Sequence, residues 1–258
     1  MLGFATLCLP PGATPAHAPT DLWTKCAPPH APEVSALREG QASRASLEIR
    51  SVVTLSRAEL QEAAALLALS FDETSLFCMA FPKPAARRRI LQGMFAAVLK
   101  DAVRFGRVEI AQSSQIVGIV IWYLPGGYPI SMLRILRLLP DYLRMVVASP
   151  LGVLRLFRAE RVLERLRPKA PHCHGQLLCA RPGSRVGGLL IRRVLNELDR
   201  AGLPVYLETQ ESRCINLYGR FGFRVVHDGI EAPPGGPLTW TMWRDPRPAG
   251  SDSSSTFR

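Results

Sequence analysis

The chain has no apolar run of the roughly 18 residues that a membrane-spanning helix requires. The best candidate, Ile110–Leu124, is broken by Gln112–Gln115 and stops at Pro125. Cys-x-x-Cys pairs are also missing. The six cysteines, at 8, 26, 78, 173, 179 and 214, follow no regular spacing and read as reduced thiols rather than a disulfide framework. His172, Cys173, His174 and Cys179 form the one cluster of metal-ligand types, but no second paired half accompanies them, so no metal is expected. Acidic residues are few, 21 against 32 Lys and Arg, for a net charge of +11. That balance suits nucleic acid, an acidic membrane surface or an anionic cofactor. The arginines are spread over many segments without a dense block, so neither nucleic acid nor a membrane is the expected partner. Gly3–Leu9 is apolar, but no basic residue precedes it and Pro10-Pro11 ends it, which argues against a secretory leader and for a cytoplasmic location.

What is present is enough for one substantial core. The chain has 258 residues, 47% of them hydrophobic. Residues 1–46 are rich in proline and alanine, lack any period and read as a disordered tail. Residues 47–246 read as a single domain, and 247–258 as a second tail. Within the domain, Leu47–Val53 alternates as a strand does. Ser56 caps a helix over Arg57–Phe71, with Glu59 at the capping-box offset. Asp72–Pro84 is turn-rich, and Ala85–Phe105 is a longer amphipathic helix. Arg107–Ala111 and Gln115–Tyr123 form a strand pair, the second nearly continuously apolar as a central strand would be.

Residues 130–167 are a run of helices interrupted at Pro140 and Pro150, with arginines between leucines at helical spacing. That pattern fits a membrane-surface amphipath or a helical wall over a substrate cleft; the second is the expectation. Then come a strand over Gln176–Ala180, a helix over Val186–Ala201 ending at Gly202, a strand over Val205–Glu208, a helix over Ser212–Arg220, and strands over Phe223–Val226 and Leu238–Trp243. The fold class is α+β, with several neighbouring strands antiparallel.

The stretch from Gly188 to Val226, GLLIRRVLNELDRAGLPVYLETQESRCINLYGRFGFRVV, resembles the GCN5-related N-acetyltransferase superfamily, and within it looks most like the puromycin N-acetyltransferase group. Gly202–Thr209 carries the phrase GLPVYLET. Tyr218 stands at the tyrosine of a short helix, and Gly222-Phe223 with Val225 follow as the group has them. Ile121–Pro125, Phe71, Phe81-Pro82, Pro171-His172 and Pro237–Arg244 extend the likeness over about residues 47–246. The resemblance implies a mixed, mostly antiparallel central sheet flanked by helices and splayed between its fourth strand (Gln176–Ala180) and fifth strand (Val205–Glu208). It also implies acetyl-CoA as cofactor and a small-molecule amine as acceptor. In that picture the pyrophosphate lies on the loop and helix start at Arg185, Val186, Gly187 and Gly188, where unpaired amides attract anions.

Two departures matter. The family loop reads P-x-x-Q/R-G-x-G-x-G. Here Pro182-Gly183-Ser184-Arg185 runs straight into Val186-Gly187, three residues short. In a second alignment Arg185 stands at the middle glycine. Arg185 then replaces lost amide contacts by binding pyrophosphate itself, or the chain is an impaired relative with a binding or structural role. Cys214 stands where the family often has an asparagine that bonds the pantetheine or acetyl region. Asn216, two residues on, takes that part only if the backbone shifts.

In this family's chemistry the amine attacks the thioester directly through a tetrahedral intermediate. Backbone amides around Leu178, Cys179 and Ala180 then serve the oxyanion. Tyr218 protonates the leaving thiolate or simply packs against Phe221 and Phe223. Glu208 takes the amine proton, steadies the ammonium, or has a structural part. His172 and His174 line the acceptor side or are surface and capping residues. Trp122, Tyr123 and Trp240, with helices 130–167, shape the acceptor cleft. The identity of the acceptor and the oligomeric state are not legible.

Overall fold

The computed structural model describes residues 6–7 and 47–247 and builds them around one eight-stranded sheet. In chain order the elements are β1 (Thr6–Leu7), β2 (Glu48–Ser51), α1 (Arg57–Phe71), α2 (Ser75–Ala80), α3 (Pro84–Phe105), β3 (Arg107–Gln112) and β4 (Ile116–Tyr123), followed by α4 (Met132–Arg137), α5 (Leu139–Ala148), α6 (Pro150–Leu166) and β5 (Cys173–Ala180). The chain closes with α7 (Val186–Arg200), β6 (Val205–Thr209), α8 (Ser212–Arg220), β7 (Arg224–Glu231) and β8 (Leu238–Arg244). The order across the sheet is β2-β3-β4-β5-β6-β8-β7, with β1 pairing β5 off that path. Only β5–β6 and β1–β5 run parallel. The sheet is therefore mixed and mostly antiparallel, as expected. Apart from Thr6 and Leu7, the expected N-terminal tail lies outside the described residues, as does 248–258.

Local chemistry accounts for the helix starts. The Ser56 hydroxyl accepts from the Glu59 amide at 3.2 Å, and the Glu59 carboxylate accepts from the Ser56 amide at 2.9 Å, closing the expected capping box. Pro84, Pro140 and Pro150 each stand in the first turn of a helix, where the missing N–H has no partner to lose. The turn-rich stretch after Asp72 departs from expectation by holding α2. Its Leu76, Phe77 and Ala80 are buried, and Phe77 meets Phe71 and Phe95 edge-on at 6.4 and 5.9 Å. Burial of that cluster overrides the turn residues around it.

Two cores lie on opposite faces of the sheet. On one face α1, α2, α3 and the insertion α4–α6 pack over Ile110, Ile119, Ile121, Leu177 and Cys179. On the other, α7 and α8 pack over Val120, Trp122, Leu178, Ala180, Val205 and Leu207. The insertion is anchored through Arg134, whose guanidinium pairs with Asp101 of α3 and lies 4.7 Å from the Phe105 ring centre. Tyr123 donates to the same carboxylate at 2.8 Å. Arg134 is buried, so this arginine belongs to the packing rather than to a solvated face.

Candidate active site

The sheet opens where the site is expected. β5 and β6 pair only from Cys173↔Val205 to Gly175↔Leu207. Against β4, Trp122 pairs with Gly175 but Ile121 with Leu177, so Gln176 is a bulge residue. A bulge bends and twists its strand, and beyond it β5 no longer follows β6. The freed edge of β5 pairs instead with β1, Thr6 opposite Leu177 and Leu7 opposite Leu178. The splay thus admits an extended, amide-bearing chain. Leu178, Cys179 and Ala180 run along it. Leu178 and Ala180 are buried toward α7, and Cys179 toward α1 and α3.

At the far end of β5 the chain turns through residues 181–185 into α7. Gly183 has φ +76° and Arg185 φ +57°; Arg185 is the one non-glycine with positive φ among the described residues. An arginine therefore holds a backbone conformation that favours glycine, at a cost on the order of 1–3 kcal/mol. Arg185 directly precedes the helix, makes no side-chain cap bond and is exposed. Val186 and Gly187 are buried beneath the first turn, and Gly188 has open space where a Cβ would stand. The packing there is tight, since a Cβ on Gly118 of β4 would come within 2.6 Å of Val186. A cleft of about 460 Å³ opens beside the loop, between the C-terminal end of α1, Arg88, Arg181 and Pro182.

At the base of the splay, on the α1–α3 face, six side chains form a buried polar chamber. Glu208 (β6) is 0% exposed and the Arg167 side chain, just after α6, 7%. The Arg167 guanidinium lies 3.2 Å from Glu160 and 3.5 Å from Glu208. Tyr128 donates to Glu160 Oε1 at 3.0 Å, and Tyr206 to Glu208 Oε1 at 3.0 Å. His174 stacks on the Tyr128 ring at 3.9 Å, and Arg167 lies 4.6 Å from the same ring centre. Both ring nitrogens of His174, one oxygen of each glutamate, and Arg167 Nε and Nη1 have no hydrogen-bond partner among the described residues. Buried polar atoms are seldom left so. This concentration marks a place shaped for a further polar group.

The charges do not balance: one guanidinium faces two carboxylates. Burial raises the Glu160 carboxyl above its usual range, and the Glu208 charge adds to that rise against the pull of Arg167. Burial likewise raises Glu208, opposed by Arg167 and by the Tyr206 hydroxyl. The pair therefore holds a proton in common at neutral pH, as closely placed carboxylates do. His174 is driven well below its ordinary pKa by burial, then by the Arg167 charge and by His172, and is neutral. His172 is half-buried beside the chamber, edge-on to Tyr206 at 5.4 Å and to Trp243 at 5.6 Å, with Nδ1 2.7 Å from the Ala170 carbonyl.

Tyr218 is buried on the opposite face, edge-on to Phe223 at 5.8 Å, and borders a small apolar cavity with Gly175 and Leu207, the last paired residues before the splay. Glu208 and Tyr218 thus stand on the two sides of the sheet at one point along it. Cys214 is buried on the same face of α8 as Tyr218; Asn216, about 200° around the helix from Cys214, is exposed. Trp122 packs beneath α7, and half-buried Trp240 donates to Asp228 at 2.6 Å, so neither lines the chamber. Glu160, Arg167 and Tyr128 were not foreseen. A signal for Glu160 exists, because it shares the buried side of α6 with Leu156, Ala159 and Leu163. A carboxylate on an amphipathic helix's apolar stripe requires a partner. Among the described residues no group of three or more His, Cys, Asp or Glu is placed to hold a metal.

No protein-family model matches the chain. Among solved structures, one described as histone acetyltransferase HPA2 and related acetyltransferase from Corynebacterium glutamicum is 20% identical, over 78% of this chain and 97% of that one, with a TM-score of 0.53. The ribosomal-protein-S18-alanine N-acetyltransferase from Escherichia coli is 12% identical over 80% of this chain and 98% of its own, at a TM-score of 0.42, too loose to carry weight. With the strand order, the bulge in β5 and the β5–β6 splay, the chain has the acyl-CoA N-acyltransferase fold of the GCN5-related N-acetyltransferases.

Proposed function

We propose that the protein is an N-acetyltransferase that moves the acetyl group of acetyl-CoA to a primary amine of a small molecule. The observation that carries this reading is the two-carboxylate chamber at the base of the β5–β6 splay. Acetyl-CoA supplies an acetyl thioester. The β5 edge fits its pantetheine arm, because that edge already pairs with extended backbone at Thr6 and Leu7. Those two residues must leave for the arm to take the same edge. The pyrophosphate is assigned to Arg185 and to the first amides of α7 at Val186, Gly187 and Gly188.

The acceptor amine enters a chamber whose unpartnered carboxylate oxygens on Glu160 and Glu208 can accept its N–H groups. Glu208 takes the amine proton, its raised pKa bringing it toward the range where a general base works at neutral pH. Arg167 and Tyr206 hold the Glu208 carboxylate in place. Amides around Leu178–Ala180 face the oxyanion, and Tyr218 gives a proton to the leaving sulfur. Cys214 packs beside Tyr218, and Asn216 bonds the cofactor only after a local shift of α8. A small aromatic amine, an antibiotic-like compound and an amino acid are all acceptors of this class, and an amine screen ranks them.

A second reading has its own support. The short loop, the strained Arg185 and β1 in the splay suit a relative that binds without turnover. Calorimetry of the full chain with acetyl-CoA and CoA, followed by an amine screen, separates the two. Micromolar binding with turnover, and a kcat loss of roughly 10²–10⁴ in Glu208→Gln at unchanged CoA affinity, is the expected result. No heat up to millimolar cofactor refutes the enzyme.

A further inference from the structure

The insertion has two sides, and only the inner one is accounted for. Tyr142, Met145, Leu156, Ala159 and Leu163 enter the core, and Glu160 with Arg167 enters the chamber. On the outer side, ten large hydrophobic side chains between Met132 and Phe157 are exposed; all the other described residues together expose eight. Leu133, Val147 and Leu151 are 73%, 83% and 66% exposed. Leu139, Leu143 and Val146 recur at helical spacing along α5, as do Leu151 and Leu154 along α6. Val146, Leu154 and Phe157 line a shared apolar groove of about 330 Å³, so the two stripes form one patch. A contiguous apolar surface of this kind is rare on a monomer and marks a contact.

The charge on the same helices selects the contact. Arg158, Arg161 and Arg165 continue the stripe of Leu151 and Leu154 at three- and four-residue steps. Arg137 and Arg144 are exposed as well, whereas Arg155 turns to α2 and donates to the Met79 carbonyl at 3.0 Å; Glu164 is the one exposed acid between 131 and 167. A second copy seated here about a two-fold axis would bring five arginines against five with few acids to meet them. An anionic lipid surface meets both requirements. Apolar side chains enter the boundary between headgroups and acyl chains, while guanidinium groups on their long stems reach lipid phosphates. Among the described residues no helix is long and apolar enough to cross a membrane, so the contact is peripheral.

We propose that the outer face of α4–α6 docks the protein on the surface of an anionic bilayer. The test is flotation of the full chain with mixed phosphatidylcholine–phosphatidylserine vesicles and with phosphatidylcholine vesicles alone. Binding to the mixed vesicles is expected to be about tenfold tighter or more, and to weaken as salt is raised. The double variant Leu133→Glu, Leu151→Glu, whose side chains lie in solvent, is expected to lose at least about tenfold in binding with an unchanged thermal melt. Arg158→Gln with Arg161→Gln is expected to lower the preference for the anionic vesicles. Equal binding to both vesicle types overturns the proposal. So does binding that the leucine variant leaves intact, which would be charge adhesion alone. A chain that ignores vesicles but forms a dimer, dissolved by the leucine variant, also overturns it and assigns the face to a second copy.

Discussion

Replacing Glu160 by glutamine tests the charge imbalance of the chamber without touching its shape. Glutamine is isosteric, and its carbonyl oxygen can keep the bonds that Tyr128 and Arg167 make to Oε1. Only the titration is removed. Burial, then the Glu208 charge, pushes the Glu160 carboxyl up to about 8 from 4.5. The sign follows from linkage. Between those two values the folded carboxyl still holds a proton that the unfolded chain has released, so the wild type loses stability as pH rises through the window. Each unit is worth about 1.4 kcal/mol, which sets a ceiling of about 5 kcal/mol. Sharing of the proton with Glu208 cuts that to roughly half, about 2–3 kcal/mol. In a domain of this size the difference is about 5–10 °C in Tm. Thermal unfolding of both proteins from about pH 4 to 9 is the assay. Any offset between them should be constant below about pH 4.5, and Glu160→Gln should gain on the wild type steadily above that. A difference that does not change with pH, or a wild type that gains on the variant as pH rises, refutes the two-carboxylate reading.

Other perturbations report on separate parts of the molecule. Arg244 clamps Asp199 with two bonds of 2.6 and 2.7 Å and donates to the Phe221 carbonyl at 2.8 Å, tying the ends of β8, α7 and α8 together. Arg244→Met should cost about 3 kcal/mol in urea unfolding, near the low end for a broken buried pair because Asp199 keeps some solvent contact. Against its own desolvation, the Asp199 carboxyl is held low by Arg244 and the Arg247 amide, so the loss should be full at neutral pH and shrink as pH falls through the carboxylate range. Arg185→Gly should raise stability by about 1 kcal/mol through relief of the positive φ. In calorimetry the same variant should bind acetyl-CoA about tenfold more weakly. Tyr218→Phe should melt like the wild type and lower kcat by roughly a hundredfold in single-turnover acetyl transfer.

Most of the framework was legible because local signals and global packing agree. The Ser56–Glu59 box, the prolines in first turns and the positive-φ Gly202 fix helix ends. Alternation along Leu238–Arg244 and the apolar run Ile116–Tyr123 fix the strand between β6 and β7 and a central strand. The chamber was only half legible. Glu208 stands in a motif, but Glu160 and Arg167 reach it from a helical segment some 40–50 residues earlier, and no local spacing records that meeting. The arginines misled in the same way. Arg87, Arg134 and Arg244 look like surface residues at helical or alternating spacing, yet each is buried against a carboxylate. The β1–β5 pairing was illegible because a two-residue strand carries no period.

The placement of α4–α6 between β4 and β5 has a consequence for how this fold varies. Those strands are antiparallel neighbours, which a two-residue turn joins in a hairpin; here residues 124–172 span the gap. Loop-closure entropy grows only with the logarithm of length, so a connection of about 50 residues in place of two costs about 3 kcal/mol. The insertion recovers this through its own buried contacts. His174, Tyr206 and Glu208 belong to the sheet, whereas Tyr128, Glu160 and Arg167 arrive with the insertion. One half of the chamber is therefore tied to the scaffold, while the other rides on a segment that can be exchanged at small entropic cost without disturbing the bulge, the splay or α7.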